Sequence, residues 1–412
     1  MTSPRLRIAL LSYRGNPHSG GQGVYINHIS KALVDLGHQV EVLAGPPYPE
    51  VHPDVRLTKL DSLDLYRNED PFRTPSRDEF RDWIDILEYS VMCTAGFPEP
   101  LTFSLRAARE LIDRRSEFDI VHDNQCLGYG LLQVQRHIPV IATIHHPCSL
   151  DKKLEIGNTQ GWKKQTSLRR WYGFTRMQGR VARKLPRLIS VSEAAKSDVA
   201  REFGVASPAV NVIHNGVDVD LFRPLADVQR IPGRIVTTAS ADVPLKGLVF
   251  LIEALAKIRT EREADLVVVG KARTNGTVKA AIERFGLESA VRFEHGVDVE
   301  RLVRLYAEAE VACVPSLYEG FSLPAIEAMA CRVPLVATRA GALPEVVGDA
   351  GVLVPPRDAG ALATAILELL RDKSQRVALA ASGRRRVLDH FTWRAAAAAT
   401  VDTYRKAIDA HR

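Results

Sequence analysis

Two carboxylates eight positions apart, Glu319 and Glu327, stand in the stretch PSLYEGFSLPAIEAMA, residues 315–330, where Gly320, Phe321, Ser322 and Leu323 follow the first of them. The apolar run EVACVPS before them ends at a proline and reads as a buried strand. Ser322 fits an N-cap, Pro324 fits the first helical turn, and LPAIEAMAC continues as a helix that ends before Pro334. Glu319 therefore lies on a strand-to-helix loop and Glu327 inside the helix. A helix start leaves N–H groups unpaired and carries partial positive charge, so the turn from Gly320 to Leu323 suits a phosphate. At about 1.5 Å per residue, Glu327 stands roughly 7 to 8 Å along the axis from Ser322, on the order of the distance from diphosphate to ribose in one nucleotide. Glu319 falls on the other side of the phosphate, where a second group of the same ligand would meet it. A nucleoside-diphosphate sugar has that layout. Taken singly, Glu319 reads more simply as a loop carboxylate and Glu327 as a solvated helix residue.

Other residues add to the pair. GGQG, with Gly20, Gly21 and Gly23, follows a strand and precedes a helix, so its backbone can approach a phosphate. A dinucleotide-binding reading fails there, because G-x-G-x-x-G is absent and the next strand ends LAG without an acid for the ribose. In DVPLKGL, Lys246 and Gly247 sit between a strand and a helix, where a lysine meets a diphosphate as a point charge. In TIHH, His145 ends a strand, as a hydrogen-bonding residue or a catalytic one. Asp218 and Asp220 in DVD match a carboxylate pair for a metal, yet no His or further carboxylate clusters beside them.

The elements that must position these residues alternate strand and helix along all 412 residues, enough for two domains. LRIALLS, the loop YRGNPHSGGQG, the helix VYINHISKALVDLG stopped by Gly37, and HQVEVLAG form a βαβ opening. Residues 46–100 are Pro-rich and read as an irregular insertion with a helix near SRDEFRDWIDILEYSVM. From about Leu221 the alternation restarts, and DHFTWRAAAAATVDTYRKAI reads as a last helix returning to the first domain. The fold class is α/β: two Rossmann-like parallel sheets, residues 1–218 with the helix 390–412, and residues 219–389, facing across a cleft where ligands meet strand ends. The five cysteines form no C-x-x-C pair and read as small core residues. The formal charge of +6 suits a polyanionic substrate and is too small to argue for nucleic acid. With no signal-peptide pattern and no apolar run of membrane length, the cytoplasm is the expected location.

HNGVDVDLFRP, PLKG, VRFEHGV, PSLYEGFSLPAIEAMACRVPLVAT, GALPEVV and GVLVPP occur in this order. Together they resemble the retaining glycosyltransferases of family 4, the group 1 enzymes of GT-B fold. The resemblance is strong over residues 211–357 and looser before them, apart from the Gly-rich loop and ATIHH. It implies that Glu319 contacts the donor sugar, that Glu327 holds the ribose, and that the turn amides, Lys246 with Gly247, and Gly21 hold the diphosphate. It further implies that the backbone from His295 to Val297 meets the base and that His145 lies near the reacting centre. Glu319, His145 and Lys246 are then the catalytic group. No metal or other cofactor is implied, because lysine and helix N-terminus stabilise the leaving diphosphate. Reaction on one face is implied, with the leaving diphosphate taking the acceptor proton. Two positions depart from the family: Ala241 stands where an arginine is usual, with Lys271 or Arg273 as substitutes, and Arg332 replaces a glycine after EAMAC.

The implied activity is hexosyl transfer onto a glycan or glycoside acceptor. GDP-mannose is the expected donor, since many actinobacterial members use it and the Ala- and Arg-rich composition suggests such a host. UDP-glucose or UDP-N-acetylglucosamine, with a lipid or small-molecule acceptor, is the alternative. A carbohydrate-binding pseudoenzyme, motivated by Ala241, and an epimerase of the same fold are the rivals from other classes. Residues 162–187 carry many Lys and Arg and no acid, with Leu168, Trp171, Tyr172, Val181 and Leu185 near helical spacing. They read as a helix packing an apolar seam on the first domain, ahead of a membrane-surface contact. Acceptor residues, linkage and oligomeric state have no sequence signal.

Overall fold

In Arg7–Ser12 (β1), Ile8 and Leu10 join one apolar layer while Ala9 and Leu11 join another, and all four are buried. A strand turns successive side chains to opposite faces, so a run apolar at every position belongs to a sheet covered on both sides. The computed structural model describes residues 4–15, 21–67, 69–239, 243–271 and 276–411. They divide into two units, Met1–Ile213 with Trp393–Arg412, and His214–Thr392.

The first unit holds a parallel sheet in the order β3-β2-β1-β4-β5-β6-β7. Its strands are β1, Gln39–Ala44 (β2), Arg56–Lys59 (β3), Ile120–Asn124 (β4), Val140–Ile144 (β5), Leu188–Ser190 (β6) and Val210–Val212 (β7). One face is covered by the helix Gly21–Asp35 and by the C-terminal helix Trp393–His411, through Tyr25, Ile29, Leu33, Trp393 and Tyr404. The other is covered by Glu99–Asp113 and Phe174–Ala182, through Phe103, Leu111, Met177 and Val181.

The second unit repeats the plan as a sheet ordered β10-β9-β8-β11-β12-β13, also parallel. Its strands are Arg234–Thr238 (β8), Asp265–Val269 (β9), Val291–Glu294 (β10), Val311–Val314 (β11), Leu335–Thr338 (β12) and Val352–Val354 (β13). Leu248–Arg259 and Ala359–Arg371 pack on it through Leu251, Leu255, Leu362 and Ile366. In both sheets the order reverses where the first strand meets the fourth, β1 with β4 and β8 with β11. Loops leaving the carboxyl ends at such a reversal diverge and leave room for a ligand.

Four expectations need correction. Residues 46–100 are more than an insertion: RLTK forms β3, parallel to β2, with Val42 in register with Leu57. The first helix begins at Gly21, so Gly21 and Gly23 lie in its opening turn and not in a loop. The basic stretch is two helices, Trp162–Trp171 and Phe174–Ala182, parted at Tyr172 and Gly173, and only the second buries a seam. The final helix is interrupted at Phe391 and Thr392: Lys373–His390 belongs to the second unit and Trp393–His411 to the first. Cys126, Cys313 and Cys331 are buried as expected of core residues, whereas Cys93 is exposed. Among the described residues, no helix is long and apolar enough to cross a membrane.

Candidate functional site

In the second unit, both loops from the strand-order reversal carry predicted site residues. After β8, Pro244–Lys246 forms a single 3-10 turn and Gly247 adopts the left-handed conformation at φ +63° before Leu248–Arg259 begins. After β11 comes the loop 315–322, and then the helix Leu323–Ala330. The Leu317 amide donates to the Leu245 carbonyl at 2.7 Å, tying the two loops together. A Cβ at Gly247 would stand 2.0 Å from the Pro315 carbonyl oxygen, so close approach as well as φ demands glycine there.

That approach lets Lys246 Nζ donate to Glu319 Oε1 at 2.9 Å, while the Ser316 hydroxyl donates to the same oxygen at 2.6 Å. Glu319 is buried, and its Oε2 has no hydrogen-bond partner among the described residues. Thr338 of β12 donates to the Ser316 carbonyl, and the Ala342 amide donates to the Glu319 carbonyl at 2.9 Å. The loop is thus held from three sides. Charge-assisted bonds to one oxygen fix the carboxylate and leave the other oxygen to accept a ligand hydroxyl.

Ser322 takes the N-cap position at φ +90°, but its side chain does not cap the helix, which departs from the sequence reading. Its buried Oγ has no partner among the described residues. The reason is conformational, since an N-cap side chain reaches the next amides from the extended region and not from the left-handed one. Phe321 is buried against His214 and Phe391, with ring centroids 5.9 and 5.7 Å away, and His214 Nε2 bonds Glu345 Oε1 at 2.6 Å. Gly320, Phe321, Ser322 and Leu323 therefore stand at the start of Leu323–Ala330, as the spacing predicts. Glu327 lies inside that helix and is half-buried rather than fully solvated: the Tyr306 hydroxyl donates to its Oε2 at 3.2 Å. Burial pushes its pKa up to about 7, partly offset by that bond.

His295 and Val297 follow β10, His295 exposed and Val297 half-buried. Lys271 is exposed just after β9. Gly20, Ala241 and Arg273 lie outside the described residues. Asp218 Oδ1 accepts the amides of Asp220 and Leu221 at 3.0 and 3.1 Å, so the DVD pair closes a local turn. Among the described residues, no three His, Cys, Asp or Glu side chains gather as a metal site. Arg332 is exposed at φ +55°, a conformation that explains a glycine preference there.

His145 belongs to the first unit, just beyond β5, and the structure gives it supports that the sequence did not disclose. Gln125, just past β4 at φ +58°, accepts the His145 and His146 amides on Oε1 at 2.7 and 3.2 Å. Its Nε2 donates back to the His146 carbonyl. Asn124 Oδ1 meets His145 Nε2 at 2.7 Å, and the Tyr25 ring packs edge-on at 4.7 Å. Burial pushes the His145 pKa down to about 4, so the ring is neutral at neutral pH. The positive φ of Gln125, a non-glycine residue 20 positions before His145 in the chain, was the missing signal, and it is a backbone property.

Residues 19–221 match the family described as Glycosyltransferase Family 4, and residues 232–372 match Glycosyl transferases group 1. An MMP alpha-(1->4)-mannosyltransferase of Mycolicibacterium hassiacum is 51% identical over 98% of this chain and 98% of its own. The chain belongs to the family 4, group 1 glycosyltransferases. A D-inositol 3-phosphate glycosyltransferase 2 of Catenulispora acidiphila is 30% identical over 99% of this chain and 97% of its own. Sucrose-phosphate synthase from Thermosynechococcus elongatus superposes with a TM-score of 0.74, covering 98% of this chain and 100% of that one at 24% identity. WaaG, a glycosyltransferase involved in lipopolysaccharide biosynthesis, does so with a TM-score of 0.66 over 96% of this chain and 99% of that one, at 16% identity. The fold of this glycosyltransferase is therefore GT-B, with two parallel-sheet α/β units.

Proposed function

We propose that this glycosyltransferase moves mannose from GDP-mannose onto a glycan with retention of configuration, forming an α-(1→4) bond. The observation that carries the donor site is Glu319, with one oxygen bonded by Lys246 and Ser316 and the other unpartnered among the described residues. In this reading Glu319 Oε2 accepts a hydroxyl of the donor sugar. Lys246 and the amides opening Leu323–Ala330 receive the negative charge that builds on the diphosphate as the glycosidic bond breaks, which is where fixed donors lower a barrier. They do this without a metal. Glu327 takes the ribose hydroxyls, with Tyr306 holding one of its oxygens. The segment from His295 to Val297 meets the base.

Support for mannose and for the linkage comes from the 51% identical relative, whose name states α-(1→4) mannosyl transfer. GDP-mannose is itself an α-glycoside, so an α product means retention. The departing β-phosphate oxygen then accepts the acceptor hydroxyl proton as the new C–O bond forms on the same face. The acceptor is a glycan, the reaction belongs to polysaccharide biosynthesis, and its compartment is the cytoplasm.

Thermal melts with GDP, UDP and ADP, alone and as sugar conjugates, test the donor, and release of nucleoside diphosphate with α-oligomannosides tests transfer. GDP should stabilise most, and GDP should be released from GDP-mannose with a new α-(1→4) anomeric signal by NMR. A preference for UDP or ADP, or a β-linked product, would overturn the reading.

A further inference from the structure

Asn124 makes two contacts that together decide how the His145 ring is protonated. Its Nδ2 donates to the Gln22 carbonyl at 3.3 Å, and its Oδ1 faces His145 Nε2 at 2.7 Å. Turning the amide over would set its oxygen against the Gln22 carbonyl oxygen, so the orientation is fixed by hydrogen bonding. An amide oxygen only accepts. His145 Nε2 must therefore carry the proton, and Nδ1 of the neutral ring keeps its lone pair. Nδ1 has no hydrogen-bond partner among the described residues. Gln125 meanwhile pins the backbone of His145 and His146, so the ring swings neither about its backbone nor about its Nε2 contact.

We infer that Asn124 is a positioning residue that locks His145 in the Nε2–H tautomer, so that Nδ1 accepts a hydrogen bond from a hydroxyl of the sugar substrate. The substrate role of His145 rests on the glycosyltransferase reading above, whereas the tautomer does not. A donor at that nitrogen would serve a phosphate or a carbonyl, so fixing an acceptor selects for a hydroxyl. Among the described residues, the titratable groups about the ring are the Tyr25 phenol, whose hydroxyl bonds Thr143 at 3.3 Å, and His122, whose Nε2 bonds Thr143 and whose Nδ1 bonds Tyr404, each at 2.7 Å. Asp151 bonds His146 at 3.0 Å, and Asp123 accepts the Leu127 amide at 2.9 Å. None of these carboxylates bonds the His145 ring.

Imidazole 15N NMR of the full-length protein tests the lock directly, with His145 assigned by the signal lost in His145→Gln. A protonated Nε2 and an unprotonated Nδ1 are expected in the wild type, and a mixture of tautomers in Asn124→Ala. The Nδ1–H tautomer, or an averaged signal in the wild type, would overturn the lock even if the enzyme is active. The substrate role is read from Asn124→Asp, whose carboxylate stabilises the imidazolium. The ratio of its kcat/KM to that of the wild type should fall roughly tenfold on lowering the pH from 8 to 6, with KM for GDP-mannose nearly constant. Taking the ratio cancels titrations common to both proteins, Asp123 included. A ratio independent of pH, with Asn124→Asp folded by its melt, would overturn the substrate role and leave the tautomer result standing.

Discussion

Lys246 and Glu319 are a pair whose members are worth more together than apart. The lysine neutralises a buried carboxylate, and the carboxylate holds the ammonium 2.9 Å away in one place. If Lys246 faces the leaving diphosphate as proposed, Lys246→Met removes that charge, and kcat/KM for GDP release should fall on the order of 10²-fold or more, the usual effect of losing one fixed donor to developing charge. Glu319→Gln keeps the shape but loses the ion pair, and should lower kcat more than it raises KM. Activity within about threefold of wild type in either variant would place the chemistry elsewhere. Glu327 makes a different prediction. Its pKa of about 7 lies above that of an unfolded glutamate, so the folded state holds its proton more tightly. Stability is then highest at low pH by this group and declines as pH rises from the unfolded value through about 7, where the carboxylate ionises only in its desolvated place. Urea melts at pH 5 and 8 should show Glu327→Gln escaping roughly 1–3 kcal/mol of that decline. An identical pH slope in both proteins would show that Glu327 is better solvated than its surroundings indicate.

Loops between strands and helices depend on glycines that are not interchangeable. Gly341 and Gly286 both take positive φ, +54° and +64°. A Cβ on Gly341 would stand 2.2 Å from the Glu319 carbonyl oxygen, while nothing lies within 4 Å of one on Gly286. Gly286→Ala should therefore cost about 1 kcal/mol of stability and leave turnover intact. Gly341→Ala must push the loop that carries Glu319, and should lower kcat at least tenfold besides destabilising the fold. Parallel kinetics and urea melts of the two variants check this, and equal loss of activity in both would refute it. At this scale the sequence was readable where one local rule acted alone. Glu319 and Lys246 were legible because strand, glycine and helix start follow one another along the chain. Four residues of RLTK, none fully buried, are too short to show alternation, and β3 went unseen. The helix start at Gly21 was hidden by the low helix propensity of glycine, which tertiary packing overrides. Ser316, Tyr306, Asn124 and Gln125 act through partners 3, 21, 21 and 20 positions away. Such pairings have no spacing rule, and only the folded chain discloses them.

Among the described residues, the two units bury their apolar side chains in different clusters, so a ligand held by one unit need not alter the stability of the other. The second unit buries Leu251, Leu255, Leu266, Leu362 and Ile366 in one cluster, while the first buries its sheet between two others. The chain leaves the first unit after Ile213 and returns at Trp393, and the returning helix seals that unit's sheet with Trp393 and Tyr404. Binding to the native state adds RT ln(1 + [L]/Kd), about 2.7 kcal/mol at a hundredfold excess over Kd. If GDP sits on Lys246, the helix Leu323–Ala330 and Glu327, that increment belongs to openings that break those contacts. Hydrogen exchange of the full-length protein with saturating GDP should slow amides of 243–250 and 315–330, and those of β8 and β11 that open with them. The amides of β1, β2 and the returning helix should exchange at unchanged rates, because their protection is set by another core. Slowing concentrated instead in Trp393–His411 would mean that the nucleotide is held by the first unit, and the roles of Lys246 and Glu319 would have to be reassigned. Equal slowing throughout would mean that the two cores open as one, so that the boundaries at Ile213 and Trp393 separate contacts without separating stability.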